Sequence, residues 1–419
     1  MKRLIVRGAA VVAMAGASAG CPAADDGTVP LLEVDALWPM PLEYPAILGP
    51  VSGVTVAPDG NVLIVTMSAR ELFSAANEIN TLTGTGGCCT PVLGVVEFAA
   101  DGSLVRQWGG PDQGYPWPSR PHGIGVDPEG NVWIGGAWYQ PPNPAGRGGR
   151  GGRGAAPGGA PAEPPPPPPG PVYDTHILKF SRTGEHLATI GTPGGQPNSA
   201  STNSFGGPAD FSFDAGENEV YVADGFANHR VVVLDIATGA VKRSWGAYGN
   251  TPDDAPQGPY DPAAAPSQQF GRVTCAELSN DGLVYVCDQT NNRIQVFETD
   301  GTFVSEAIIA PATRGLGSVR DVAFSADDDQ RYLYVTDNMN ECVYILFRET
   351  LAVKTSFGVG GRYPGHFREL GGIAVDAQGN VFTAEDGQGR KVQKFVNIGT
   401  GPVTAEHQGA LYPAAAGGM

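Results

Sequence analysis

The sequence predicts an all-β chain folded as a six-bladed β-propeller of four-stranded antiparallel blades. One observation is the stretch 208–249, which holds β-rich runs over 210–214, 219–222, 230–234 and 241–245, separated by short polar or Gly-containing turns. Four such strands in about 40 residues make one blade. Another is repetition of the inner-strand-and-turn signature. It appears as VSGVTVAPDGNVLIV from Val51, PHGIGVDPEGNVWIG from Pro121, PADFSFDAGENEVYVAD from Pro208, VTCAELSNDGLVYVCD from Val273, VRDVAFSADDDQRYLYVTD from Val319 and LGGIAVDAQGNVFTAED from Leu370. Composition agrees: 60 Gly and 37 Pro with only 16% charged residues suit many short strands joined by turns rather than helices.

In chain order, Lys2, Arg3 and Arg7 precede an apolar run over 8–19, too short for a membrane span and laid out as a secretory signal over 1–21. Ala17-Ser18-Ala19 offers a cleavage site, and Gly20-Cys21 offers the alternative of a lipid anchor on Cys21. The chain is therefore expected to be exported, to the periplasm, cell surface or exterior, with no transmembrane span. Residues 31–38 alternate apolar and polar side chains up to Pro39, the pattern of a lone strand. A propeller must protect its edges, so this strand is expected to complete the last blade and close the ring. One propeller domain over 31–395 and a Gly- and Ala-rich tail over 396–419 follow.

Three insertions interrupt the repeats. The first, over 67–91, carries Cys88-Cys89. The second, over 140–171, contains GRGGRGGRG and a proline run, and this composition predicts a disordered loop. The third, over 251–269, is Pro-rich and is expected to be an ordered loop between blades. A net charge of -17 opposes phosphate backbones, so nucleic acid is not an expected partner.

Beyond the signal the cysteines are Cys88, Cys89, Cys275, Cys287 and Cys342, an odd set for an oxidising compartment, so one thiol should stay free. Cys275 and Cys287 fall on the first two strands of one blade, which makes them a disulfide candidate. Cys88-Cys89 reads as a strained disulfide, a soft-metal site or two ordinary loop thiols, and the loop reading is preferred because no His or Met adjoins them. In the 208–249 blade, Asp224, Asn228 and Arg230 flank one turn, where Asp and Arg can pair and close the hairpin.

A propeller gathers the start of every inner strand at one end of its channel. Taking one position from each repeat gives Ser52, His122, Ala209, Thr274, Arg320 and Gly371. The next position gives Gly53, Gly123, Asp210, Cys275, Asp321 and Gly372. Among these, Ser52, His122, Asp210, Thr274, Arg320 and Asp321 are the candidate ligand contacts. His122, Asp210 and Asp321 are the candidate metal ligands, for calcium through the carboxylates or for zinc through the imidazole.

With this order of strands, including the x-V-x-x-F third strand, the chain resembles the NHL-repeat six-bladed propellers. Within them it is similar to the peptidyl-α-hydroxyglycine α-amidating lyase group, most clearly at Val222-Ala223-Asp224-Gly225-Phe226-Ala227-Asn228-His229-Arg230 and Trp245-Gly246. The resemblance implies a zinc held by three His at alternate ring positions. Those positions here are His122, Thr274 and Gly371. The family's catalytic Tyr corresponds to Phe226, an Arg of the fourth repeat to Gln289, and a first-blade Arg to Arg70. A catalytic zinc needs about three protein ligands, and Phe226 has no hydroxyl to move a proton.

The reading that follows is an exported scaffold without lyase activity that binds a peptide, glycan or envelope protein at its channel mouth. A surviving amidating-lyase-like enzyme with a site rebuilt from His122, Asp210 and Cys275 is the alternative. A calcium-dependent, lactonase-like hydrolase ranks below both.

Overall fold

The computed structural model describes residues 27–67, 89–137, 139–140 and 172–402. Six four-stranded antiparallel sheets are arranged as the blades of a propeller. Blade 1 comprises Val51–Val56, Val62–Thr66, Val95–Phe98 and Leu104–Trp108. Blade 2 comprises Pro121–Val126, Val132–Gly136, His176–Phe180 and His186–Gly191. Blade 3, the 208–249 stretch, runs Pro208–Asp214, Glu219–Asp224, Arg230–Asp235 and Val241–Trp245. Blade 4 is Val273–Leu278, Leu283–Asp288, Arg293–Glu298 and Phe303–Ile308, and blade 5 is Asp321–Phe324, Tyr332–Asp337, Cys342–Phe347 and Ala352–Phe357.

Blade 6 draws on both ends of the described chain. Leu370–Val375, Val381–Glu385 and Lys391–Pro402 supply three strands, and Thr28–Asp35 lies outermost, antiparallel to Lys391–Pro402. The expected tail over 396–419 therefore needs correcting at its start: Asn397 pairs with Leu32 and Pro402 with Thr28, so the last strand runs past Phe395 because it has a partner to bond. The expected signal over 1–21 and the Arg/Gly/Pro stretch within 140–171 lie outside the described residues, apart from a short antiparallel pair, Tyr139–Gln140 with Val172–Tyr173. Among the described residues no helix is long and apolar enough to cross a membrane.

The middle strands are the driest. Every residue of Glu219–Asp224 is buried, whereas the outermost Val241–Trp245 is mostly half-buried. β-Branched and aromatic residues suit such a pleated surface. Because side chains alternate across a sheet, each blade offers one apolar face to each neighbour. Between blades 3 and 4, for example, Tyr221, Val231, Val233 and Trp245 pack with Val273, Val284, Val286 and Phe297. Blades 6 and 1 meet the same way, through Phe382, Ala384 and Val392 against Val51, Val62, Ile64 and Phe98. The core is thus a set of layers between blades, and the axis is left for polar groups.

Hairpins are clasped at one recurring point. Asp224 Oδ2 accepts from Arg230 Nε at 2.8 Å and from Asn228 Nδ2 at 2.8 Å, while its Oδ1 accepts from the Gly206 amide at 2.6 Å. Blade 4 repeats the arrangement with Asp288 and Arg293, also at 2.8 Å. The Asp–Arg pairing expected across the blade 3 turn is present, and it also ties that turn to the loop entering the inner strand.

Cys275 and Cys287, directly opposed in blade 4, are joined by a disulfide with Cα atoms 4.9 Å apart. Cys342 is a free, buried thiol. Cys89 is disulfide-bonded, which corrects the preference for ordinary loop thiols at Cys88-Cys89. The absence of neighbouring His or Met argued against a metal but had no bearing on oxidation.

Candidate functional site at the channel mouth

Inner strands converge closely at the axis. Gly123 has φ +66°, and a Cβ there would stand 2.5 Å from the Ala209 carbonyl oxygen, so only glycine lets blades 2 and 3 approach this way. Above this point a cavity of about 570 Å³ opens at the channel mouth, lined by residues that include Arg120, His122, Phe226, Arg272, Arg320 and Gly371.

His122 sits at the start of the blade 2 inner strand and is buried. Its Nδ1 is 3.0 Å from the Ala209 carbonyl oxygen, which can only accept, so Nδ1 carries the proton. Its Nε2 faces Arg320 Nη2, which can only donate, so the Nε2 lone pair is taken. Burial and the nearby Arg320 charge hold the imidazole well below its ordinary pKa, in agreement with a neutral ring.

Phe226 stands edge-on to His122, with ring centroids 5.1 Å apart. The guanidiniums of Arg272 and Arg320 both lie over its ring, at 5.3 and 5.4 Å from the centroid. Such cation–π contacts contribute roughly 0.5–2 kcal/mol each and hold the planar groups in place. Burial, with Arg120 and Arg272 as like charges, brings Arg320 down to about 10 against an attraction from Asp386, so it still carries its charge at neutral pH. Burial and Arg120 lower Arg272 as well. Arg120 pairs with Asp386 at 2.8 Å. Its backbone is fixed by buried Asp174, which accepts from the Ser119 and Arg120 amides at 2.8 and 3.0 Å.

Deeper in the channel lies an acidic layer. Asp321 accepts amide bonds at both oxygens, from Val322 and from Ile373, each at 2.9 Å. Asp210 accepts from the Ala276 amide at 3.3 Å. Burial, and then the charges of Asp210 and Asp321, raise Glu277 well above the usual carboxylate range. Burial and the Asp210 charge do the same to Asp321, and burial raises Asp210.

Of the ligand candidates, His122 and Arg320 meet in the mouth, while Asp210 and Asp321 belong to the layer below. Ser52 is buried, its Oγ donating to the Pro121 carbonyl at 2.6 Å, so it acts as a seam between blades 1 and 2. Thr274 is buried and its hydroxyl finds no hydrogen-bond partner among the described residues. Gln289 is also buried and donates to Asn338 Oδ1 at 3.1 Å. Arg70 lies outside the described residues.

Among the described residues no three His, Cys, Asp or Glu side chains form a group that could hold a metal ion, so His122, Asp210 and Asp321 do not assemble into one. The physical reason at His122 is its Nε2, which faces a guanidinium. Cys275 cannot supply a thiolate while it is bonded to Cys287. The residues present do not fit a catalytic zinc.

Arg120 and Arg272 were missed because the ring was read from the first residues of the inner strands. Reading two positions before the His122 ring gives Pro50, Arg120, Gly207, Arg272, Ser318 and Glu369, and four of these line the cavity. Glu277 carried no signal at all, since its neighbours come from blades 3 and 5.

No family model and no curated protein matches the chain. Among solved structures it is similar to a streptogramin B lyase, with 16% identity over 87% of this chain and 96% of that one, at a TM-score of 0.43. It is also similar to a catalytically inactive virginiamycin B lyase from Staphylococcus aureus with quinupristin, with 15% identity over 88% and 99% of the two chains, at a TM-score of 0.44. A third similarity is to Kuenenia stuttgartiensis hydrazine synthase, with 13% identity over 80% and 74%, at a TM-score of 0.45.

Proposed function

We propose that this protein is an exported NHL-type propeller that binds a ligand or partner at its channel mouth and does not carry out the amidating-lyase reaction. The observation that carries this reading is His122: one ring nitrogen donates to a backbone carbonyl, and the other faces the Arg320 guanidinium. An imidazole held this way offers no lone pair to a metal. Phe226, in the place of the compared catalytic Tyr, packs as a hydrophobic plate and has no proton to exchange. The cavity remains, lined by charged groups, Arg120, Arg272 and Arg320 among them, and by apolar ones, Phe226, Leu316 and Met339, a mixture that binding pockets have. Surface loops on a rigid frame are a further place for a peptide, glycan or envelope protein to dock.

The test is turnover. Purified protein supplied with zinc and a peptidyl-hydroxyglycine should release no glyoxylate above the uncatalysed rate and should retain no zinc after dialysis. Glyoxylate release that disappears in His122→Ala would overturn the reading and restore a lyase with a rebuilt site.

A further inference from the structure

From the channel mouth we infer that the ligand bears an oxyanion, a carboxylate or a phosphoryl group, held by Arg272 and Arg320 with its apolar remainder over Leu316 and Met339. This rests on the mouth being a binding site, as proposed above, and names what it takes.

The chain carries a formal charge of -17, yet three arginines face one cavity. Arg120 pairs with Asp386 at 2.8 Å, and that one carboxylate also attracts Arg320 without pairing with it. Among the described residues no carboxylate forms an ion pair with Arg272 or Arg320, and both guanidiniums are instead stacked on Phe226. Like charges gathered in a partly desolvated place cost free energy unless an anion joins them. Carboxylates that could serve from within are engaged or lie elsewhere. Asp174 is spent on the backbone amides of Ser119 and Arg120, and Glu369 stands exposed at the rim. The half-buried layer of Asp210, Glu277 and Asp321 favours its protonated forms, so it offsets the arginines only in part.

Stacking on an aromatic ring fixes a guanidinium plane while leaving its edge donors open, and those donors match the paired oxygens of a carboxylate or phosphate. His122 locks Arg320 from one side. Beside the arginines, Leu316 and Met339 line the cavity at 41% and 44% exposure, large apolar side chains with room for a partner. A ligand with an anionic head and an apolar body meets both the arginines and these apolar side chains.

The experiment is calorimetric titration of the purified full chain with benzoate, phenyl phosphate and benzamide, which share one ring and differ in the head group. Benzoate or phenyl phosphate should bind at least about tenfold more tightly than benzamide, and Arg272→Gln should remove that preference. Binding should also weaken as sodium chloride rises, a readout that needs no variant. The tighter of the two anions identifies the head group as carboxylate or phosphoryl. Equal binding of benzamide, anion binding unaffected by both salt and Arg272→Gln, or no binding of either anion by folded protein would overturn the inference. Those failures leave the absence of lyase turnover untouched, and lyase turnover would leave anion binding untouched, so the two proposals fail separately.

Discussion

Arg320 Nη2 donates to His122 Nε2 across the channel mouth, joining the inner strand of blade 2 to the entry of blade 5 over a sequence separation of 198 residues. The contact fixes the imidazole as the neutral Nδ1–H tautomer, because the opposite nitrogen must donate to Ala209. It follows that His122 should not titrate near neutrality. Nitrogen–proton correlation spectra should show one neutral tautomer from about pH 8 down to about pH 5.5, below the ordinary His pKa of about 6.5. A depressed pKa means that the unfolded chain binds the proton first. His122 therefore costs no stability above about pH 6.5 and lowers stability as pH falls from there toward its folded value. An imidazolium signal at neutral pH would contradict the contact.

Glu277 gives the opposite sign. Its folded pKa lies well above the unfolded value, so the native state holds a proton that the unfolded chain has lost. Stability on this account falls as pH rises from about 4.5 and stays lowered above the folded pKa. Glu277→Gln imitates the protonated form and can still donate to Asp210. It should be more stable than wild type at pH 8, by on the order of 1 kcal/mol, and nearly equal at about pH 4.5. Urea unfolding at both pH values checks this.

Asp224 and Arg230 are side chains at 0% and 1% exposure, paired at 2.8 Å. Arg230 also donates to the carbonyls of Ser199 and Ser201, at 2.7 and 2.6 Å. Asp224→Ala leaves that buried cation without its partner and should cost about 3–5 kcal/mol, measured by denaturant unfolding. Adding Arg230→Met should restore part of the loss. A double variant as unstable as the sum of the two single ones would mean that the pair is not coupled.

The Cys275–Cys287 bond closes a short loop, with a sequence separation of 12. Replacing both by alanine should lower stability by about 2–3 kcal/mol without changing strand content, read by denaturant unfolding and circular dichroism. Thiol labelling of the unfolded, unreduced protein should leave this pair unmodified.

The blades were legible in the sequence because their information is local. Strand period, turn residues and the order of runs in 208–249 each act over a few positions, so Glu219–Asp224 and Arg230–Asp235 could be foreseen, as could the Asp224–Arg230 clasp. The facing cysteines of blade 4 follow from the same reasoning, since hairpin register sets which residues oppose each other. Even the ring of first residues placed His122 and Arg320 at one end of the channel.

What the tertiary structure alone decided is which side chains share an environment. Arg120 and Arg272 precede their inner strands and reach the cavity only because the blades converge there. Phe226, read from sequence as a lost hydroxyl, proved to be the plate on which two guanidiniums rest. Burial and Coulomb interactions depend on distances through space, and residues far apart in the chain set them. For that reason His122 could be placed by its repeat, but whether it would meet a metal or an arginine was decided by the side chain arriving from blade 5.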